Sequence, residues 1–320
     1  MAGSLNRVCI RYPDTQRAVH TLEVRLGYAP SHLGSVRDLI AHAIHVFSLT
    51  ILISTRAPPS LLPSRGFKNL TTFTTNLPHS YLADFITRSP QLRCLSLLSD
   101  CRGFSECPLQ NAVALSLDEI HCGSIACIGS FHHSTAVGTI RLLTPEVDGE
   151  TCDIPYAALP MSSSIVNLRL PFSGTEIPSL IPKLLRSAPA VETLALEEYR
   201  GAFHLDHMPF SYHHHVFASD LSRLRKLRAL HLKLLSRVGL PADDETSITK
   251  RWVNSCQESQ SLRFLLVWSD TLGQAQGRVR IWFRTGRGAW TLAIDRAGRS
   301  NEPWETSLAY SSDILRLDSK

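Results

Sequence analysis

Three apolar residues in the spacing apolar-x-x-apolar-x-apolar return ten times along this chain, and no other feature limits its fold so strongly. The copies stand at Val19/Leu22/Val24, Val46/Leu49/Ile51, a degenerate Phe67/Leu70/Thr72, Leu92/Leu95/Leu97, Ala112/Leu115/Leu117, Val137/Ile140/Leu142, Ile165/Leu168/Leu170, Val191/Leu194/Leu196, Leu227/Leu230/Leu232 and Leu262/Leu265/Val267. One match means nothing, because apolar residues are common. Ten in near-regular array carry information. Two copies echo each other further: "SPQLRCLSLLSD" (89–100) and "SAPAVETLALEE" (187–198) share a serine and a proline ahead of the triplet. Each also follows an apolar, helix-like run, "YLADFIT" or "IPSLIPKLL".

Alternation supplies the physical reading. In a strand, residues i and i+2 face one side, so the last two apolar positions of each copy point into one core. Helical periodicity fills several intervals: "SYLADFITRS", "SLIPKLLRSA", "FASDLSRLRK" and "DETSITKRWVNSC". Strand, turn, helix and return within 20 to 36 residues is the leucine-rich-repeat unit. A lone unit cannot bury its apolar face, so neighbours must stack on it. The expected fold is therefore α/β, a curved solenoid of irregular leucine-rich repeats over residues 1–270. The wider spacing toward the C-terminus predicts full α-helices there. The asparagine that commonly follows the third apolar residue in such repeats is not regular here. After Trp268 the pattern stops, and "GRVRIWFRTGRGAWTLAID" predicts a β-hairpin that caps the array within residues 271–320.

Composition narrows the function classes. A hydrophobic fraction of 43% with 19% charged residues is ordinary for a folded protein. The net charge of +5 permits acidic partners without requiring them. Eight cysteines without a C-x-x-C pair predict reduced, mostly buried thiols rather than a disulfide scaffold. The opening "MAGSLNRVCIRYPDTQR" has no apolar core, so no secretory signal is expected, and "LIAHAIHVFSLTILIS" (39–54) reads as a helix running into a buried strand, not a membrane span. A cytoplasmic or nuclear protein is the expectation. Phosphate-loop, nucleophile-elbow and dinucleotide fingerprints are missing, so no enzyme and no cofactor is expected.

The degenerate repeats, the lead-in "RSAPAVETLAL" and the last strand "LRFLLVWSD" followed by an R-x-W hairpin resemble the F-box/leucine-rich-repeat-like proteins of mushroom-forming fungi. The resemblance spans roughly residues 15 to 295. It implies a substrate receptor of a ubiquitin ligase, whose F-box binds the Skp adaptor and whose repeats bind the target. The first repeat here begins near Val19, which leaves no recognisable F-box ahead of it. The Skp adaptor is thus an expected partner only where an upstream F-box exists.

Repeat solenoids bind through the strand residues that alternate with the core. That rule nominates Arg141, Asn167, Arg169, Glu197, His231, Lys233, Phe264 and Trp268 as partner-binding, a mixed polar and aromatic strip suited to a protein. A stand-alone scaffold without a ligase link is the alternative. A further one is nucleic-acid binding by Arg278, Arg280, Trp282 and Arg284 on one hairpin face. The run "HLDHMPFSYHHHVF" offers His204, Asp206, His207 and His213 to His215 as metal donors, but its spacing fits no standard zinc motif, and no metal is expected.

Overall fold

The computed structural model describes residues 19–27, 30–54, 57–99, 107–111, 117–123, 127–128, 137–142, 164–172, 177–198, 210, 215–235, 242–270, 276–284 and 288–299. The chain divides into two compact units, Met1–Leu143 with Ala158–Pro160, and Thr144–Ala157 with Met161–Lys320. Both are mixed α/β, rich in strand and light in helix.

The first unit holds β1 (Thr21–Leu26), β2 (Ser48–Ile53), β3 (Thr72–Thr75), β4 (Cys94–Leu97), β5 (Glu119–Cys122) and β6 (Thr139–Leu142). Each pairs in parallel with the next, and the register sets Leu22, Leu49, Phe73, Leu95, Ile120 and Ile140 side by side. The second unit repeats the arrangement with β7 (Asn167–Phe172), β8 (Thr193–Glu198), β9 (Ala229–Leu234) and β10 (Phe264–Asp270). There Leu168, Leu194, Leu230 and Leu265 form the aligned row. Then β11 (Gln276–Phe283) pairs antiparallel with β10, and β12 (Thr291–Arg299) antiparallel with β11.

Eight of the ten central residues are those expected; two copies are shifted. Phe73, not Leu70, is the third rung, and Ile120, not Leu115, is the fifth. The true triplets are Leu70/Phe73/Thr75 and Leu117/Ile120/Cys122, all at most 1% exposed. Each hides a residue that an apolar search discounts in its last position. Thr75 tolerates burial because its hydroxyl accepts the Leu77 N–H at 3.1 Å.

A second regularity lies in the backbone. At the start of β2 to β6 and of β8 to β10, two consecutive N–H groups converge on one carbonyl of the preceding repeat. Thr71 and Thr72 donate to the Phe47 oxygen, Arg93 and Cys94 to Thr71, and Asp118 and Glu119 to Arg93. In the second unit Glu192 and Thr193 donate to Val166, Arg228 and Ala229 to Glu192, and Arg263 and Phe264 to Arg228. These bonds are 2.8 to 3.1 Å long, and the shared oxygen always stands two residues before the central apolar one. The lead-in residues close a turn just upstream: Leu92 N–H donates to Ser89, Val191 to Ala188, Leu227 to Leu224 and Leu262 to Ser259. The serine–proline echo in the sequence marks this turn.

Among the described residues the first unit has α1 (Leu33–His42) and α2 (Ala83–Thr87), with short 3-10 turns at Pro30–His32, Pro59–Leu61, His79–Tyr81 and Pro108–Asn111. The second has α3 (Ile177–Ser187), α4 (His215–Leu221) and α5 (Ala242–Ser255). Helices α4 and α5 occupy the two widest intervals, where the spacing predicted them. Residues 39–54 resolve into the end of α1 and strand β2. No helix among the described residues is long and apolar enough to cross a membrane. Aromatic side chains fill the space behind the sheet. Phe85 of α2 packs on Phe67 and Phe73 at 5.5 and 5.0 Å, while Trp252 of α5 stacks on Phe217 of α4 at 6.2 Å and meets Phe210 edge-on.

Candidate functional site

In the first unit the residues between the last two core positions form a polar row across the sheet: Glu23, Thr50, Thr74, Ser96, His121 and Arg141. Glu119 and His121 pair at 2.6 Å at its β5 end. The hydrogen bond from His121, helped by the charges of His121 and Arg141, holds the Glu119 carboxyl below the ordinary range although burial opposes it. Beside it, burial and the Glu119 charge push the Cys94 thiol up to about 11. That thiol keeps its proton at neutral pH and is a weak nucleophile.

In the second unit Glu197 sits between two cations, accepting from Arg169 Nη2 at 2.7 Å and Lys233 Nζ at 2.5 Å. Burial pushes its carboxyl up, but the hydrogen bonds from Lys233 and Arg169 outweigh burial and hold it below the usual range. Asn167 is exposed, and Arg141, Arg169, Glu197 and Lys233 are half-buried. The remaining three expected contact residues are interior. His231 and Phe264 are 0% exposed and Trp268 2%. Phe264 and Trp268 belong to an apolar cluster with Ala195, Ala229, Leu266, Val279 and Ile281, against which Ile294 packs. The His231 ring lies against Phe264 at 5.3 Å, and burial, with the Arg169 charge, pushes its pKa down to about 3. Alternation reads which face of a strand is opposite the core; it does not tell whether that face is open.

The hairpin shows the same effect. Arg280, Trp282 and Arg284 were expected on a surface strip, yet they are 0%, 1% and 3% exposed. β11 is flanked by β10 and β12, so it is no edge strand. Arg280 donates to Glu245 of α5 at 3.1 Å, to Thr246 and to Ser269, with Asp295 3.8 Å away. Arg278 pairs with Asp295 at 2.5 Å. Burial raises the Asp295 carboxyl, but these arginines outweigh it and hold it low. Arg284 donates to the carbonyls of Gln257, Ser259 and Leu262 and lies over the Trp290 ring. Its guanidinium ties down the last lead-in turn.

One constellation was not legible in the sequence. His79, Cys107 and Cys127, all buried, bring one nitrogen and two sulfur atoms within 4.8 Å of one another. Each stands in the segment that follows a successive strand, β3, β4 or β5. None of the five described cysteines forms a disulfide, and four of them are buried. The histidine run expected to be loop lies outside the described residues at His204, Asp206, His207, His213 and His214, as does the His215 side chain. No protein-family model and no curated protein matches this chain.

Proposed function

We propose that the chain is a leucine-rich-repeat array whose work is non-catalytic protein recognition, in the manner of the substrate-binding part of a fungal F-box receptor. The observation that carries the reading is the single register of one parallel strand per repeat, with the core triplet on one side and a polar row on the other. A row of alternating acidic, hydroxyl, imidazole and guanidinium groups suits a folded protein surface or peptide better than a polyanion. Glu119, His121 and Arg141 are its charged anchors in the first unit; Asn167, Arg169, Glu197 and Lys233 serve in the second. The cytoplasm or nucleus is the place of action. The Skp adaptor joins only where an F-box is attached to the repeats.

The test is cross-linked capture by wild type and by Arg141→Glu and Asn167→Arg variants, each first shown to melt like wild type. Loss of the main captured protein by about tenfold from either variant supports the recognition face. Equal capture by all three overturns it. Presence of the Skp adaptor in the captured set supports the ligase role, and a partner without it selects the stand-alone scaffold.

A further inference from the structure

We propose that His79, Cys107 and Cys127 form a zinc site that ties together three successive repeats of the first unit. The His79 ring is already oriented as a metal-bound imidazole would be. Its Nε2 lies 3.1 Å from the Ser99 carbonyl oxygen, a partner that only an N–H can satisfy, so Nε2 carries the proton. Ser99 is held in turn by its own hydroxyl, which donates to the Leu77 carbonyl at 2.8 Å. Nδ1 therefore presents its lone pair, and it points at both thiols. A carbonyl behind a ligating histidine is the common second support of zinc sites.

The spacing fits the ion. Nδ1 lies 3.5 Å from Cys107 Sγ and 3.6 Å from Cys127 Sγ. Zinc bonds of ~2.3 Å to sulfur and ~2.05 Å to nitrogen, at the tetrahedral angle, put N and S about 3.6 Å apart. The two N···S edges thus match those of a zinc tetrahedron without movement of the ring, and the sulfur–sulfur edge, within 4.8 Å here, takes about 3.8 Å around the ion. Two thiols and an imidazole are also the donor set that selects zinc over magnesium or calcium, which want oxygen.

Charge balance favours the same ion. Zn2+ displaces one proton from each thiol, and both protons pass to solvent while nothing is oxidised or reduced. The product, one dication with two thiolates and a neutral imidazole, has no net charge to bury. The described residues supply three of the four donors that a zinc tetrahedron takes.

The placement explains why three distant residues meet. Pro78 and the 3-10 turn His79–Tyr81 direct His79 inward after β3. Cys107 leads into the 3-10 turn Pro108–Asn111 after β4, and Cys127 follows β5. Each repeat contributes one ligand from its post-strand segment, so the ion clips together the loops of three successive repeats.

The full chain, purified on a metal-free affinity tag and dialysed against metal-free buffer, is assayed for bound metal by mass spectrometry. About one zinc per chain is expected. Cys107→Ser and Cys127→Ser should each lose it, whereas Cys256→Ser, a buried thiol in the other unit, should keep it. Because the serine variants could fail to fold, wild type is also loaded with Co2+. A thiolate-to-cobalt charge-transfer band with intense tetrahedral d–d bands supports the site. Zinc below about a tenth of an equivalent, even after Zn2+ is added and excess removed, overturns it. So does a Cys107–Cys127 disulfide recovered from freshly isolated protein, or a cobalt spectrum without thiolate bands.

Discussion

Small differences at single residues decide how this chain tolerates change. Leu194 is fully buried at the centre of a rung, with Leu168 and Leu230 beside it. Leu194→Ala should cost about 2–5 kcal/mol, and Leu194→Asp should unfold the second unit, because a carboxylate there has no partner. Circular dichroism and thermal melting read both; unchanged melting of Leu194→Asp would refute the register. His231 makes a different prediction. Its pKa is near the ordinary 6.5 when unfolded and about 3 in the native state. Between these values the unfolded chain holds a proton that the native chain excludes, so stability rises with pH and is lost as pH falls below about 6.5. At full slope the loss reaches roughly 2 kcal/mol by pH 5. Glu119, Glu197 and Asp295, all held below their ordinary values, act only at lower pH. Urea melts at pH 7 and pH 5 should therefore differ less for His231→Leu than for wild type. An equal difference in both would assign the effect elsewhere.

Elements are held by bonds that the residue pattern does not spell out. Strand starts are placed by shared carbonyls, and the hairpin is fastened by arginines that run inward. Arg280 joins β11 to α5 through Glu245 and to β12 through Asp295. Replacing it with methionine keeps its volume but strands the Glu245 charge in a site only 17% exposed. A loss of about 3–5 kcal/mol is expected, measured by chemical denaturation. Adding Glu245→Gln should recover part of that loss, and a double variant as unstable as the single would argue against the pair. Strand positions were legible because burial on one face imposes a period of two. The burial of the opposite face in β8 to β11 was not, since an Ala, a Phe or a Trp there reads equally as contact surface or as core. Arginine misled most: its charge reads as surface, while its five donors suit it to buried carboxylates and carbonyls.

At the scale of the molecule, the repeat was legible where all three positions were Leu, Ile or Val, and slipped where the last was Thr75 or Cys122. That slip also concealed the metal-ligand geometry. His79 comes six residues after the rung Phe73 and Cys127 seven after Ile120, equivalent places that become visible only once those rungs are set correctly. Cys107 stands twelve residues after its rung Leu95, so the ligands lie 28 and 20 residues apart, one per repeat, whereas zinc motifs are usually sought as short spacings within one loop. The longest intervals, 194 to 230 and 230 to 265, show that extra chain is accepted between rungs so long as the next strand finds its predecessor's oxygen. The shared carbonyl thus acts as a splice mark. Excising residues 192–227 would bring Arg228 and Ala229 to the Val166 oxygen and Leu230 against Leu168, joining like to like. A chain built this way can gain or lose a whole repeat, and lengthen one repeat without its neighbours, while every strand keeps the same anchor.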